Sequence, residues 1–128
     1  VVATYGTGAV LAAEWAGTVI VESDIERKLR ENLSEYGFKV LKLYTPGNIG
    51  TMDRMILNPT YSPGPPRFVE LKRPGKKLRL LQVAIGQEWA RRGCEVLDPI
   101  TSMHECEQTC QELIQQIMPD YMLRTNAL

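Results

Sequence analysis

Phe68-Val-Glu-Leu-Lys72 is the stretch on which the reading of this chain turns. Successive side chains of an extended strand alternate between faces, so Glu70 and Lys72 emerge on one side and Val69 and Leu71 on the other. An otherwise apolar strand with an acid and a base on one face is unusual. Two surface charges on a solvated strand would produce the same pattern, and the residue that separates these readings is Asp53.

Asp53 lies near the start of the preceding predicted strand, Met52 to Leu57, just after the loop Thr45-Pro-Gly-Asn-Ile-Gly50. A hairpin pairing that strand with Arg67 to Lys72 brings Asp53 close to the Glu70 end. Two carboxylates on neighbouring strands suit a hard cation such as Mg²⁺ or Mn²⁺, which takes oxygen ligands and keeps several waters. The backbone carbonyl of Leu71 is the natural third ligand. A lysine at Lys72 can orient an attacking water and offset charge developing on a phosphate oxygen.

Outward from this hairpin the elements follow in a simple order. Upstream, Ile25, Leu29, Leu33 and Tyr36 have helical spacing, and Gly37 is placed to end that helix in a left-handed cap. Phe38 to Tyr44 reads as the first strand. The second and third strands are joined by residues 58–66, whose four prolines exclude regular structure. Three consecutive strands predict an antiparallel meander. Downstream, a basic turn at Arg73-Pro-Gly-Lys-Lys77 leads into a helix from about Leu78 to Arg92, closed by Gly93, and Cys94 to Leu97 reads as a fourth strand. A last helix is expected from Ser102 to Met118, stopped by Pro119, with Leu113, Ile114, Ile117 and Met118 on a face that could serve a subunit contact.

Three further sets of residues bear on chemistry. Glu22 and Glu26 fall on or beside the apolar stripe of the first helix, so both aim at the core or its rim; the plain alternative is helix-dipole stabilisation plus an i,i+4 ion pair from Glu26 to Arg30. Gln82 lies on the stripe of Leu78, Leu81, Ile85 and Trp89, where an amide either faces the site or caps a strand end. Lys72, Arg73, Lys76, Lys77 and Arg79 place five cations within eight residues beside Glu70. They are positioned to meet backbone phosphates, although a solvated turn has similar composition.

Taken together, Glu22-Ser-Asp-Ile-Glu26, Lys42, Pro46-Gly, Gly50-Thr-Met-Asp-Arg54, Phe68-Val-Glu-Leu-Lys72, Pro74-Gly and Gln82 resemble the VRR-NUC family of the PD-(D/E)XK nuclease superfamily. The similarity runs from about Val21 to Ile100. It implies an α/β, restriction-endonuclease-like αβββαβ core, a mixed central sheet flanked by helices. It also implies Asp53 and Glu70 as metal ligands, Lys72 as catalytic lysine, Glu26 as the helix-one acid that completes the site, through water if not directly, and Gln82 as the amide facing it. Glu22 is a second candidate for the helix-one role. Lys42 and Arg54 join Arg73, Lys76, Lys77 and Arg79 as expected DNA contacts. Short members of the family cut branched DNA such as four-way (Holliday) junctions as homodimers, and the same is expected here. The departure is Met52, where the family usually has Pro before the Asp, so the start of that strand is expected to have a different shape.

Composition bounds the rest. A length of 128 residues suits one domain. The expected division is an extension at 1–21 with no assigned function, a nuclease-like domain at 22–100, and a helix and tail at 101–128. Fifteen basic and fifteen acidic residues cancel, so any basic surface is local. Cys94, Cys106 and Cys110 make an odd count with no secretory leader, which fits a reducing, cytoplasmic setting. The apolar run Val10 to Val21 is short and broken by Glu14, so no membrane span is expected. His104, Cys106 and Cys110 lack a completing ligand pair for zinc and read as ordinary helix residues. One histidine in a polar segment gives no nucleophile triad, and Gly6-Thr-Gly8 fits no phosphate loop.

Overall fold

In the computed structural model, the described residues are 20–44, 52–74 and 80–126. They form, in order, α1 (Glu22–Ser34), β1 (Lys39–Lys42), β2 (Arg54–Leu57), β3 (Arg67–Val69), α2 (Leu80–Arg91), β4 (Glu95–Val96) and α3 (Met103–Asn126). Residues 1–19, with most of the expected extension, and the turn cations Lys76, Lys77 and Arg79 lie outside that set.

The helix α1 begins where the Asp24 carboxylate accepts the Val21 N–H at 2.9 Å, satisfying one free donor of the first turn. Its stripe Ile25, Leu29 and Leu33 is fully buried. The chain leaves the helix at Gly37, whose φ of 91° is a left-handed value that costs a side-chain-bearing residue energy.

The sheet order is β1-β2-β3-β4, with the first two pairings antiparallel and the last parallel. The predicted meander is therefore present, and the helix-strand-strand-strand-helix-strand order with it. Each strand is shorter than the sequence pattern predicted. Beyond Val69, ladder pairing to β2 ends, and the chain continues along its other neighbour through the Leu71–Ile100 bridge, with Ile100 N–H donating to the Glu70 carbonyl at 3.0 Å.

Val40, Ile56 and Val69 share the sheet face that packs with α1 and α3. On the opposite face Phe68 meets Trp89 of α2 edge-on, with ring centroids 5.2 Å apart. The stripe expected for α2 is partly corrected: Leu81 is about half exposed, and the residues α2 buries are Gln82 and Gly86. The strip that α2 buries is narrow, and small and amide side chains occupy it.

Two expectations for the C-terminal segment are also corrected. Its buried stripe is Cys106, Cys110, Leu113 and Ile117, packed on Ile25, Leu29 and Leu33, so this helix completes the same core as the rest of the chain and that face is closed to a subunit partner. Nor does Pro119 stop it, since α3 runs on to Asn126. The lost hydrogen bond and ring clash of an internal proline cost about 3 kcal/mol, but contacts beyond it hold the last turns. Tyr121 packs on Tyr36 at 5.1 Å, Ser62 Oγ donates to Asp120 at 2.6 Å, and the Arg124 guanidinium lies 4.9 Å over the Tyr61 ring. The Pro-rich segment is pinned at the same place, Tyr61 Oη donating to the Tyr36 carbonyl at 2.6 Å.

Candidate active site

Met52, before the strand, is buried on the α2 side, near Gly86; strand alternation puts Arg54 and Ile56 inward on β2, and both are buried. Asp53 precedes the first residue of β2 and turns the other way, half-buried, toward the chain leaving β3. Its Oδ1 lies 3.4 Å from the Leu71 amide nitrogen, and its Oδ2 lies 2.9 Å from Arg54 Nη1. The hairpin thus brings Asp53 to the Glu70–Leu71 end.

Glu70 is 4% exposed, a degree of burial that carboxylates reach almost only when paired. One oxygen, Oε2, is well supplied: Gln82 Nε2 donates to it at 2.9 Å and Lys72 Nζ lies 3.1 Å away. The other, Oε1, is buried with no hydrogen-bond partner. Burial pushes the Glu70 carboxyl above its ordinary pKa, the negative charge of Asp53 pushes it further, and Lys72 and Gln82 pull it back in part. A buried carboxylate oxygen without a donor, next to a second carboxylate, is what a hard divalent cation would satisfy. The residues present fit such an ion, with Asp53 and Glu70 as donors and the Leu71 carbonyl beside them.

Glu26 is not brought into that pair. It points to Arg54, whose Nη2 lies 2.7 Å from its Oε1, and to Arg30, whose Nη2 donates to Oε2 at 2.6 Å. Arg30 first and Arg54 second hold its carboxyl below the ordinary range, against the opposing effect of burial. Glu22 approaches the same Arg54 at 3.6 Å. In consequence no three acids, histidines or cysteines among the described residues converge tightly enough to share a metal.

Arg54 was expected among the DNA contacts and is corrected here. It is 1% exposed and bridges Glu26 to Asp53, so it cannot reach a phosphate from that position. The signal was legible, because the same alternation that faces Ile56 inward faces Arg54 inward. Lys42 and Arg73, two more of the expected contacts, are exposed. Cys106 and Cys110 are buried core thiols on α3, and His104 is exposed on that helix.

A cavity of about 620 Å³ adjoins the site, with Glu70 and Gln82 in its wall beside Met52, Gly86 and Val96. Nothing in the sequence pattern announced it, since its walls come from β4, α2 and the start of α3, which only the fold brings together. Among the described residues no helix is long and apolar enough to cross a membrane.

No family model matches the sequence, and no curated protein matches it. Among solved structures, one described as "VRR_NUC domain" aligns at 23% identity with a TM-score of 0.60, over 70% of this chain and 94% of that one. The mixed four-stranded sheet with helices on both faces is the restriction-endonuclease-like arrangement that the sequence motifs implied. This chain has the fold of a VRR_NUC domain.

Proposed function

We propose that this chain is a nuclease of the VRR-NUC type, a Mg²⁺- or Mn²⁺-dependent endonuclease that hydrolyses phosphodiester bonds in branched DNA such as four-way junctions. The observation that carries this reading is Glu70: buried, beside Asp53, bonded through one oxygen to Lys72 and Gln82, and lacking any donor at the other. A structural carboxylate would be satisfied on both oxygens or exposed to water.

In this reading Asp53 and Glu70, with the Leu71 carbonyl, hold the cation, which supplies a Lewis acid to the phosphodiester. Gln82 holds the Glu70 carboxylate by Oε2, which would leave Oε1 available to an ion. Lys72, 3.1 Å from Glu70, is close enough to share the attacking water with the site and to offset charge on a non-bridging phosphate oxygen. Glu26 and Arg54 act on Asp53 from behind. Lys42 and Arg73, both exposed, supply phosphate contacts, and Lys76, Lys77 and Arg79 add positive charge in the sequence that follows them. A homodimer matches the symmetry of a junction, and the exposed Met122 and Leu123 near the end of α3 offer a second copy an apolar surface. The three free cysteines, two of them buried, suit a reducing, cytoplasmic setting.

The test incubates purified protein with an end-labelled four-way junction, a flap and a linear duplex, each with Mg²⁺, Mn²⁺ or chelator. Paired, metal-dependent cuts on the junction are expected. Lys72→Ala should bind the junction normally and cut it about 1,000-fold more slowly, whereas Asp53→Ala should lose Mn²⁺ binding as well. Full activity in Lys72→Ala would sink the assignment. Cuts confined to the flap would point to a monomeric flap nuclease, and binding without cleavage in every metal to a nucleic-acid binding module.

A further inference from the structure

The cavity beside Glu70 has a chemistry unlike the rest of the site. Its volume of about 620 Å³ lies within the usual range for small-ligand pockets. Apolar side chains, Met52, Val83, Val96 and Leu97 among them, form its walls. Its charged residues are all acidic, Glu70, Asp98 and Glu105, and among the described residues no lysine, arginine or histidine lines it. Such a space repels phosphate and accepts a flat, uncharged group that donates hydrogen bonds at its edge. Glu70 marks the boundary, because it lines the cavity while Lys72, paired with its Oε2, does not.

We propose that this cavity receives an unpaired nucleobase of the strand being cut, next to the scissile phosphate. The proposal rests on the nuclease reading and deepens it, since it says what the enzyme recognises in a branch. A base and its own phosphate are one sugar apart, so a phosphate seated at Lys72, which is paired with Glu70 in the cavity wall, brings an attached base within reach of the cavity. A base stacked in continuous duplex cannot turn into it without paying for unstacking, while a base at a branch point is already free to do so. The acidic edge selects bases that carry exocyclic amino groups, as carboxylates accept from cytosine N4 in groove recognition. Gly86 keeps the space open: a Cβ there would stand 3.7 Å from Val96 and 3.8 Å from the Met52 methyl, and a longer side chain would project among them.

The test uses a four-way junction carrying 2-aminopurine at each position flanking the cut, with Ca²⁺ in place of Mg²⁺. Fluorescence should rise several-fold at one position on binding of the wild-type protein, and Gly86→Leu should abolish the rise and weaken junction binding about tenfold. If Gly86→Leu fails to fold, Ala90→Leu fills the same cavity from an exposed helix position. Independently of cleavage, the Met52 methyl resonance should shift when a short single-stranded oligonucleotide is added, more for adenine and cytosine than for thymine. Junction cutting with no fluorescence change at any position overturns the pocket and leaves the nuclease standing. A Met52 shift without cutting keeps the pocket and removes the nuclease.

Discussion

Two arginines are buried in this small sheet, and their surroundings differ. Arg54 on β2 and Arg67 on β3 share one sheet face, Arg54 opposite Val69 and Arg67 opposite Ile56. Arg67 is met mainly by neutral amides: Nη1 donates to Asn58 Oδ1, Nη2 to Gln116 Oε1 at 2.6 Å, and only Glu95 at 3.3 Å brings a charge. Arg54 is met by carboxylates, Glu26 at 2.7 Å, Asp53 at 2.9 Å and Glu22 at 3.6 Å. Including Glu70 with Lys72 and Glu26 with Arg30, the ion pairs among the described residues at that end of the sheet join four carboxylates to three cations. The Arg67 end is electrically closed by its own side chains. At the Arg54 end the paired carboxylates outnumber their cations, and Asp53 and Glu70 lie together on the sheet side away from Arg54.

The sharpest way to break this comparison is to replace each arginine by methionine. Arg54→Met should lower stability to urea by about 3 kcal/mol, since it strands carboxylates around an apolar side chain. It should also tighten Mn²⁺ binding about tenfold, because a cation competing for Asp53 is gone. Arg67→Met should cost about 2 kcal/mol through unsatisfied amides and leave Mn²⁺ affinity unchanged. Equal effects of the two on Mn²⁺, measured by calorimetry, would show that the ends are not distinct.

A double-mutant cycle asks whether Glu26 acts on its own or through Arg54. Glu26→Gln combined with Arg54→Met should destabilise by about 1.5 kcal/mol less than the sum of the single changes. Additivity would return Glu26 to an independent role at the metal.

The smallest expected effect is on pH dependence. Because Arg30 and Arg54 hold the Glu26 carboxyl below its ordinary value of 4.5, the folded state gains from its ionised form. That gain is complete above the ordinary value and is lost as pH falls through the lowered one. Urea midpoints measured down the acid limb should therefore fall less steeply in Glu26→Gln than in the parent protein, and identical slopes would remove the pair from the stability of the fold.

The parts of the molecule legible in sequence were those in which local pattern and burial agree. The stripe Ile25, Leu29 and Leu33, the glycine at position 37 and the alternation in Phe68–Lys72 each specify an element unaided. The resemblance in motif and spacing then carried the fold. What was not legible depends on partners distant in sequence. Pro119 continues a helix because Tyr36 and Ser62 are waiting for the residues that follow it. Leu81 is exposed because α2 meets the sheet through Gln82 and Gly86. Arg54 misleads for a different reason: its charge suggests a surface contact, while its place in the strand faces it inward. Met52 departs from the family pattern, and its place in the cavity wall gives that departure a use.

The proline within α3 leaves the carbonyl of Gln115 without its usual amide partner, so the helix has a seam at that turn. On the N-terminal side of the seam the helix is anchored in the core by Cys106, Cys110, Leu113 and Ile117; on the other side it is held by a few aromatic and polar contacts to a surface loop. Those two lengths are expected to open as different units, which hydrogen exchange would test. Amide hydrogens before residue 119 should exchange only when the whole protein unfolds, while those after it exchange through a cheaper local release that frees Tyr61 and slackens the Pro-rich loop without disturbing the site. A single continuous rod by geometry is thus, by free energy, a fixed beam carrying a hinged end.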